Sequence, residues 1–117
     1  MIRRKEEVRI RNVANAMKGK GSVTFHDWLL PEEAKGHGRV FSKVVIGPGC
    51  SIGFHQHQKE FESYYVLEGT ALVRDGENEV ILHPGDMNLC PDGCWHGVEN
   101  VGDTDLVLIA LIMNQLA

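Results

Sequence analysis

The sequence predicts an all-β chain, and three observations lead there. From residue 39 onward, Val, Ile, Leu, Tyr and Phe come in short alternating or continuous blocks. Turn-forming Gly, Pro and Asp separate those blocks every eight to twelve residues or so, the rhythm of a sandwich or a barrel. No window of ten or more residues carries the apolar period of a helix.

Taken in order, residues 1–38 read as an arm and lead-in, and residues 39–117 as the β core of one domain. Positions 1–21 suit an irregular or edge-strand arm, and 23–36 a short strand with a turn at Pro31. "RVFSKVVI" is a strand halted by "GPG". "GFHQHQ" and "ESYYVLEG" follow, the second ending at Gly69. "TALVR" and "EVILH" flank "DGEN", a hairpin signal because Asp-Gly accepts the positive φ of a tight turn. "HPGD" turns into the short strand "MNLC", "HGVEN" runs into "VGDTD", and "LVLIALIM" is a buried closing strand.

Composition narrows the function classes. A chain of 117 residues that is 43% hydrophobic can bury a core without staples. No apolar run approaches the ~18 residues of a membrane span, and no hydrophobic stretch follows "MIRRKEE", so neither a membrane partner nor a secretory leader is expected. The expected location is cytoplasmic. Residues 1–21 hold seven Lys/Arg against two Glu, a balance of +5, while the remainder holds five basic against fourteen acidic residues, a balance of −9. An acidic body argues against nucleic acid as a partner, and the basic arm is expected to dock on that body or on a second subunit. Three cysteines, Cys50, Cys90 and Cys94, point to reduced thiols.

"HQHQKEFE" concentrates the chemistry. Histidines two apart share a face only on a strand. Strand parity puts Gly53, His55 and His57 on one face, with Phe54 and Gln56 opposite. It also groups Glu62, Tyr64 and Val66 as a cavity lining, against Phe61, Ser63, Tyr65 and Leu67 as packing. Glu60 is a rival carboxylate, expected in a solvated turn between adjacent strands. His96 follows the bend at Pro91 and Gly93, and Trp95 should face the other way, into packing. Three imidazoles and a carboxylate suit a first-row divalent metal. Cys90, Cys94 and His96 form a competing zinc set, whereas His26, His37 and His83 fit no pattern. Cys50 and Cys90 suit small buried fillers.

Two motifs then resemble those of the cupins. The first reads Gly49, "CSIGF", His55-Gln56-His57, "QKEF", Glu62, "SYYVLE", Gly69; the second reads Gly85, "DMNLC", Pro91-Asp92-Gly93, "CW", His96, "GVE", Asn100. Every fixed position is filled. The resemblance implies a cupin double-stranded β-helix, a jelly-roll barrel, with His55, His57, Glu62 and His96 as ligands of one divalent transition metal ion (Mn, Fe, Ni, Co or Zn). It is nearest in pattern to small oxalate decarboxylase-like cupins. Decarboxylase, dioxygenase, isomerase and lyase chemistry on a small anionic, oxygen-rich metabolite all stay open, because a fold does not choose a reaction. Tyr64 is the candidate proton donor or orienter. The alternative is a non-catalytic cupin that binds or senses a small ligand. Exposed sheet edges make a homodimer the expected assembly.

Overall fold

The computed structural model describes residues 1–116, and among them the β pattern is realised as ten antiparallel strands with three single helical turns. The strands are β1 (Arg9–Ala14), β2 (Ser22–Leu29), β3 (Gly38–Ile46), β4 (Ser51–Gln56), β5 (Glu60–Glu68), β6 (Ala71–Asp75), β7 (Asn78–Leu82), β8 (Met87–Cys90), β9 (Trp95–Asn100) and β10 (Leu106–Asn114). They form a six-stranded sheet in the order β1-β2-β3-β10-β5-β8 and a four-stranded sheet in the order β4-β9-β6-β7.

The expected jelly-roll barrel is corrected here. The described strands make two separate open sheets, and neither closes on itself. The free edges are protected by other means. β8 has only four residues, and β1 carries Arg9 and Arg11; short and charged edges both resist pairing with another chain. The sheets are joined through their facing side chains. Val44, Ile46, Val66, Leu106, Leu108 and Ala110 of the larger sheet join Ala71, Val73 and Val98 of the smaller in one core. Each large aliphatic side chain so buried stabilises the fold by about 1.5–3 kcal/mol. The closing strand β10 is indeed buried, and it lies between β3 and β5.

Local chemistry fixes how strands cross between the sheets. Gly69 ends β5 at φ +87, and a β-carbon there would meet the Asp105 carbonyl oxygen at 2.6 Å. Asn100 holds the turn before β10. Its Nδ2 donates to the carbonyls of Ile46 and Thr104, both at 2.8 Å, and its Oδ1 accepts from the Gly102 N–H at 2.9 Å. The strict alternation expected in β4 fails. Its pairing with β9 passes from Ile52↔Val98 to His55↔His96, so three steps on β4 face two on β9. This is a β-bulge. It brings Ile52 and His55 to the same inner side and leaves Gly53 and Phe54 less buried between them. Gly53 therefore does not share a face with His55. A β-carbon on Gly53 would collide with the Met17 carbonyl oxygen, so the 15–19 loop sits directly on the bulge.

The lead-in forms β1 and β2, with β1 at the edge of the larger sheet. Its basic residues do dock on acidic ones: Arg3 on Glu33, Arg9 and Arg11 on Asp27, and Lys20 on Glu99. Asp27 is the central anchor and is almost wholly buried. Its Oδ2 accepts from Arg9 Nε at 2.8 Å and Arg11 Nε at 2.6 Å, and its Oδ1 from Arg11 Nη2 at 3.0 Å and Ser42 Oγ at 2.7 Å. One carboxylate thus ties β1, β2 and β3 together.

Burial pushes the Asp27 carboxyl up, but hydrogen bonds from Arg11, Ser42 and Arg9 outweigh it and hold the pKa at about 2 against an ordinary 3.8. A carboxylate depressed by folding adds stability above its unfolded pKa and loses it as pH falls through the folded one. Discounted for the half-exposed arginines, that contribution is about 1–2 kcal/mol, lost between roughly pH 4 and pH 2. Asp27→Asn should remove it at neutral pH and flatten the stability profile in that acid window. Urea unfolding across pH tests this, and an unchanged acid limb would refute it.

Candidate metal centre

Both sheets supply the cluster. His55 lies near the end of β4 and is the cross-strand partner of His96 on β9, so these two come from the smaller sheet. Glu62 and Tyr64 sit two apart on β5 in the larger sheet, facing inward as parity predicted. His57 falls one residue beyond β4. "QKEF" therefore crosses from one sheet to the other and does not join adjacent strands. Lys59 makes the crossing at φ +61, and its N–H donates to Asp92 Oδ1 at 2.6 Å.

The ring nitrogens are sorted by their partners. His55 Nδ1 lies 2.6 Å from the Gly53 carbonyl oxygen, His57 Nδ1 2.5 Å from Glu60 Oε2, and His96 Nδ1 2.7 Å from Asn88 Oδ1. Each of these oxygens accepts, so each Nδ1 is the protonated nitrogen and each Nε2 presents a lone pair. Those three Nε2 atoms turn toward one another and toward Glu62. His57 Nε2 is 3.1 Å from His55 Nε2 and 3.2 Å from His96 Nε2. Glu62 Oε1 is 2.8 Å from His57 Nε2, 2.9 Å from His96 Nε2 and 3.6 Å from His55 Nε2. All four ligand atoms lie within 4.8 Å of one another, and all four residues are buried.

Four buried acceptors converging without a donor is an unfavourable arrangement unless a cation or a proton sits among them. With metal–ligand bonds of about 2.1 Å, ligands at right angles stand about 3 Å apart, which matches the 3.1 and 3.2 Å spacings from His57 Nε2 to the other two nitrogens. The donor set fits a divalent metal, and this cluster is able to coordinate one. The competing zinc set of Cys90, Cys94 and His96 is not brought together among the described residues.

Electrostatics favour positive charge at this point, a proton as well as a metal ion. Burial pushes the Glu62 carboxyl up, but the three imidazoles around it prevail and hold it well below the usual carboxylate range. His57 is lowered by burial yet raised overall by Glu62 and Glu60, whereas His96 is lowered, chiefly by burial. Tyr64 is fully buried, with its ring stacked on His96 at 4.6 Å and 6° between planes. Burial, then the charge of Glu62, push its hydroxyl well above the ordinary phenol value, so it stays neutral.

Several residues differ from expectation. Glu60 begins β5 and is partly buried. Its carboxylate binds His57 on one side and takes a two-bond fork from Arg39 on the other, 2.9 Å from Nε and 2.8 Å from Nη2. The i, i+3 spacing of His57 and Glu60 was the available signal. Asn88 was also missed, although it alternates inward with Cys90 on β8 opposite Tyr64. Tyr65 and Leu67 face outward and are exposed, and so does Trp95, which stacks on Phe54 at 5.4 Å on the outer surface. Cys90 is a buried filler, Cys50 is half-buried and Cys94 is exposed. His37 and His83 are exposed and His26 is half-buried, all outside the cluster. Beside the cluster lies a cavity of about 180 Å³, lined by His55, His57, Glu62 and Tyr64 and otherwise by mainly apolar residues.

Comparison with known proteins agrees with this geometry. The Cupin domain family model matches residues 42–112. A Thermotoga maritima protein described as an oxalate-binding protein is 34% identical over 97% of this chain and 93% of its own length. The crystal structure of a predicted oxalate decarboxylase from the same organism superposes with a TM-score of 0.91 at 34% identity, covering 97% of this chain and 99% of that one. KdgF from Halomonas sp. shares the fold, with a TM-score of 0.78 at 18% identity over 99% and 96% of the two chains.

Glu60→Gln keeps the shape but removes the charge that holds the His57 ring. Loss of such an outer contact weakens metal affinity by about 10–100-fold. Chelator competition with zinc or manganese should show that loss while the unfolding midpoint of the metal-free protein moves little. Unchanged affinity would refute the role.

Proposed function

The chain belongs to the cupin family, and from that footing we propose that it is a metal-dependent enzyme acting on a small oxo-anion. His55, His57, Glu62 and His96 hold one divalent transition metal ion, and the substrate is a carboxylic acid or sugar derivative that binds beside it. The observation that carries this reading is the convergence of three bare imidazole nitrogens and one carboxylate on a single buried point. A divalent cation held there supplies Lewis acidity, polarising a bound oxygen or lowering the pKa of bound water.

The chain's own residues do the rest. Gly53, Glu60 and Asn88 keep each imidazole in the tautomer that offers Nε2. Tyr64 braces His96 by stacking and orients the substrate through a neutral hydroxyl. Decarboxylation, dioxygenation and isomerisation or lyase chemistry are the reaction types in view, with Mn, Fe, Ni, Co or Zn as the ion.

A second reading, a non-catalytic cupin that binds or senses a small anion, is favoured by the Thermotoga relative's description as an oxalate-binding protein. A homodimer and a cytoplasmic location belong to the proposal too. The dimer draws support from exposed apolar side chains on the outer face of the larger sheet, where Phe41, Tyr65, Leu67, Met87 and Leu89 lie. No helix in the described residues is long and apolar enough to cross a membrane.

Metal analysis of the purified protein should find about one transition metal per chain, and His57→Ala should lose it. Carboxylic and sugar acids are then screened for turnover with and without oxygen. Product formation that disappears in His57→Ala supports the enzyme. Tight binding with no product at any metal loading selects the binder, and failure to bind metal overturns both.

A further inference from the structure

The wall of the cavity beside the cluster constrains what enters it. We propose that its ligand is a singly charged chelating acid with a compact apolar tail, such as a short branched α-keto acid, and not a polyhydroxylated sugar acid or a compact dianion. The proposal rests on the metal-centre reading above and narrows its substrate class.

Away from the cluster residues, the cavity is walled by Val13, Met17, Phe25, Val40, Ile52 and Ile112. Apart from the weakly accepting sulfur of Met17, these carry no side-chain hydrogen-bond donors or acceptors. A sugar hydroxyl turned toward them gives up its water and gains no partner, a net cost, while a methyl or methylene gains from leaving water. The cavity, about 180 Å³ and half-open to solvent, has room for a short tail.

Two cationic side chains also reach this wall, Arg11 and Arg39, and both are already engaged. Arg11 gives Nε and Nη2 to Asp27 and lies 4.6 Å over the Phe25 ring. Arg39 gives Nε and Nη2 to Glu60. A second carboxylate on the ligand would have to compete with these buried or half-buried acids for its counter-charge. A compact dianion that sets both carboxylates at the centre leaves the apolar wall unfilled, and so gains nothing from burial there.

The rim is held in place at a cost. Asn15, Met17 and Lys18 adopt left-handed backbone, at φ +52, +49 and +63. Such conformations are strained for Met and Lys and persist where the surroundings enforce them. Here the 15–19 loop is seated on the β4 bulge at Gly53, and that seating places Met17 at the cavity. Met17 is a half-exposed rim residue of the apolar wall.

The test uses the full chain loaded with cobalt(II), whose visible spectrum reports ligands entering the metal's surroundings. Pyruvate, α-ketobutyrate, α-ketovalerate and α-ketoisocaproate are titrated alongside oxalate and gluconate. Each affinity is divided by that acid's affinity for free cobalt. The normalised affinity should rise about threefold to fourfold per buried methylene, and α-ketoisocaproate should exceed oxalate and gluconate by at least tenfold. Met17→Asn, chosen because Asn tolerates left-handed backbone, should erase several-fold of the tail gain and weaken pyruvate less than the longer acids. Cobalt binding with a flat series, or with oxalate or gluconate favoured, overturns this inference alone. Failure to take up cobalt overturns the metal-centre reading, and this inference with it.

Discussion

Three imidazole nitrogens and a carboxylate oxygen point at one another inside the protein, and none of them brings a proton donor of its own. Left alone, that arrangement concentrates lone pairs in a medium too poor in water to screen them. It is tolerable only with positive charge at its centre. The surrounding chemistry follows from this need. Each imidazole is anchored at its far nitrogen by a different oxygen: the backbone of Gly53, the carboxylate of Glu60 and the amide of Asn88. Glu60 is held in turn by Arg39. Orientation thus passes outward through two layers of contacts, which is how a protein fixes ligands before the ion arrives.

The scaffold meets that need with two open sheets. β4 and β9 place His55 and His96 side by side in one sheet, and β5 presents Glu62 from the other. Bringing them together depends on side chains that stop strands from drifting. Asn100 ties the turn leading into β10, and Asp27 fastens β1 and β3 to β2. The polar residues buried in this small core are therefore not spread at random. They stand where a turn, an edge or the cluster would otherwise come loose.

Much of this was legible in the sequence, and the failures are instructive. Both motifs fix backbone geometry as well as ligands, so the four converging residues are named by the motifs themselves. Strand parity placed Glu62 and Tyr64 inward correctly because β5 is regular through that stretch. Parity failed in β4 because a bulge inserts one residue between Ile52 and His55, and nothing in "SIGFH" marks it except a glycine. Glu60 was read as solvated because it was placed in a turn, whereas it begins β5 and pairs with Arg39, distant in sequence. The strand rhythm left sandwich and barrel open, and the resemblance implied the barrel, whereas the strands form two open sheets. The apolar wall escaped notice because β1 and β2, read as a lead-in, supply Val13 and Phe25 to it.

The cluster draws its members from both halves of the sandwich, and this has a mechanical meaning. A divalent ion held there would be a clasp across the layer boundary. Its hold and the breathing of the shell would be linked reciprocally: whatever prises the layers apart would loosen the ion, and the ion would damp that motion in return. Chemistry and rigidity would then depend on the same atom.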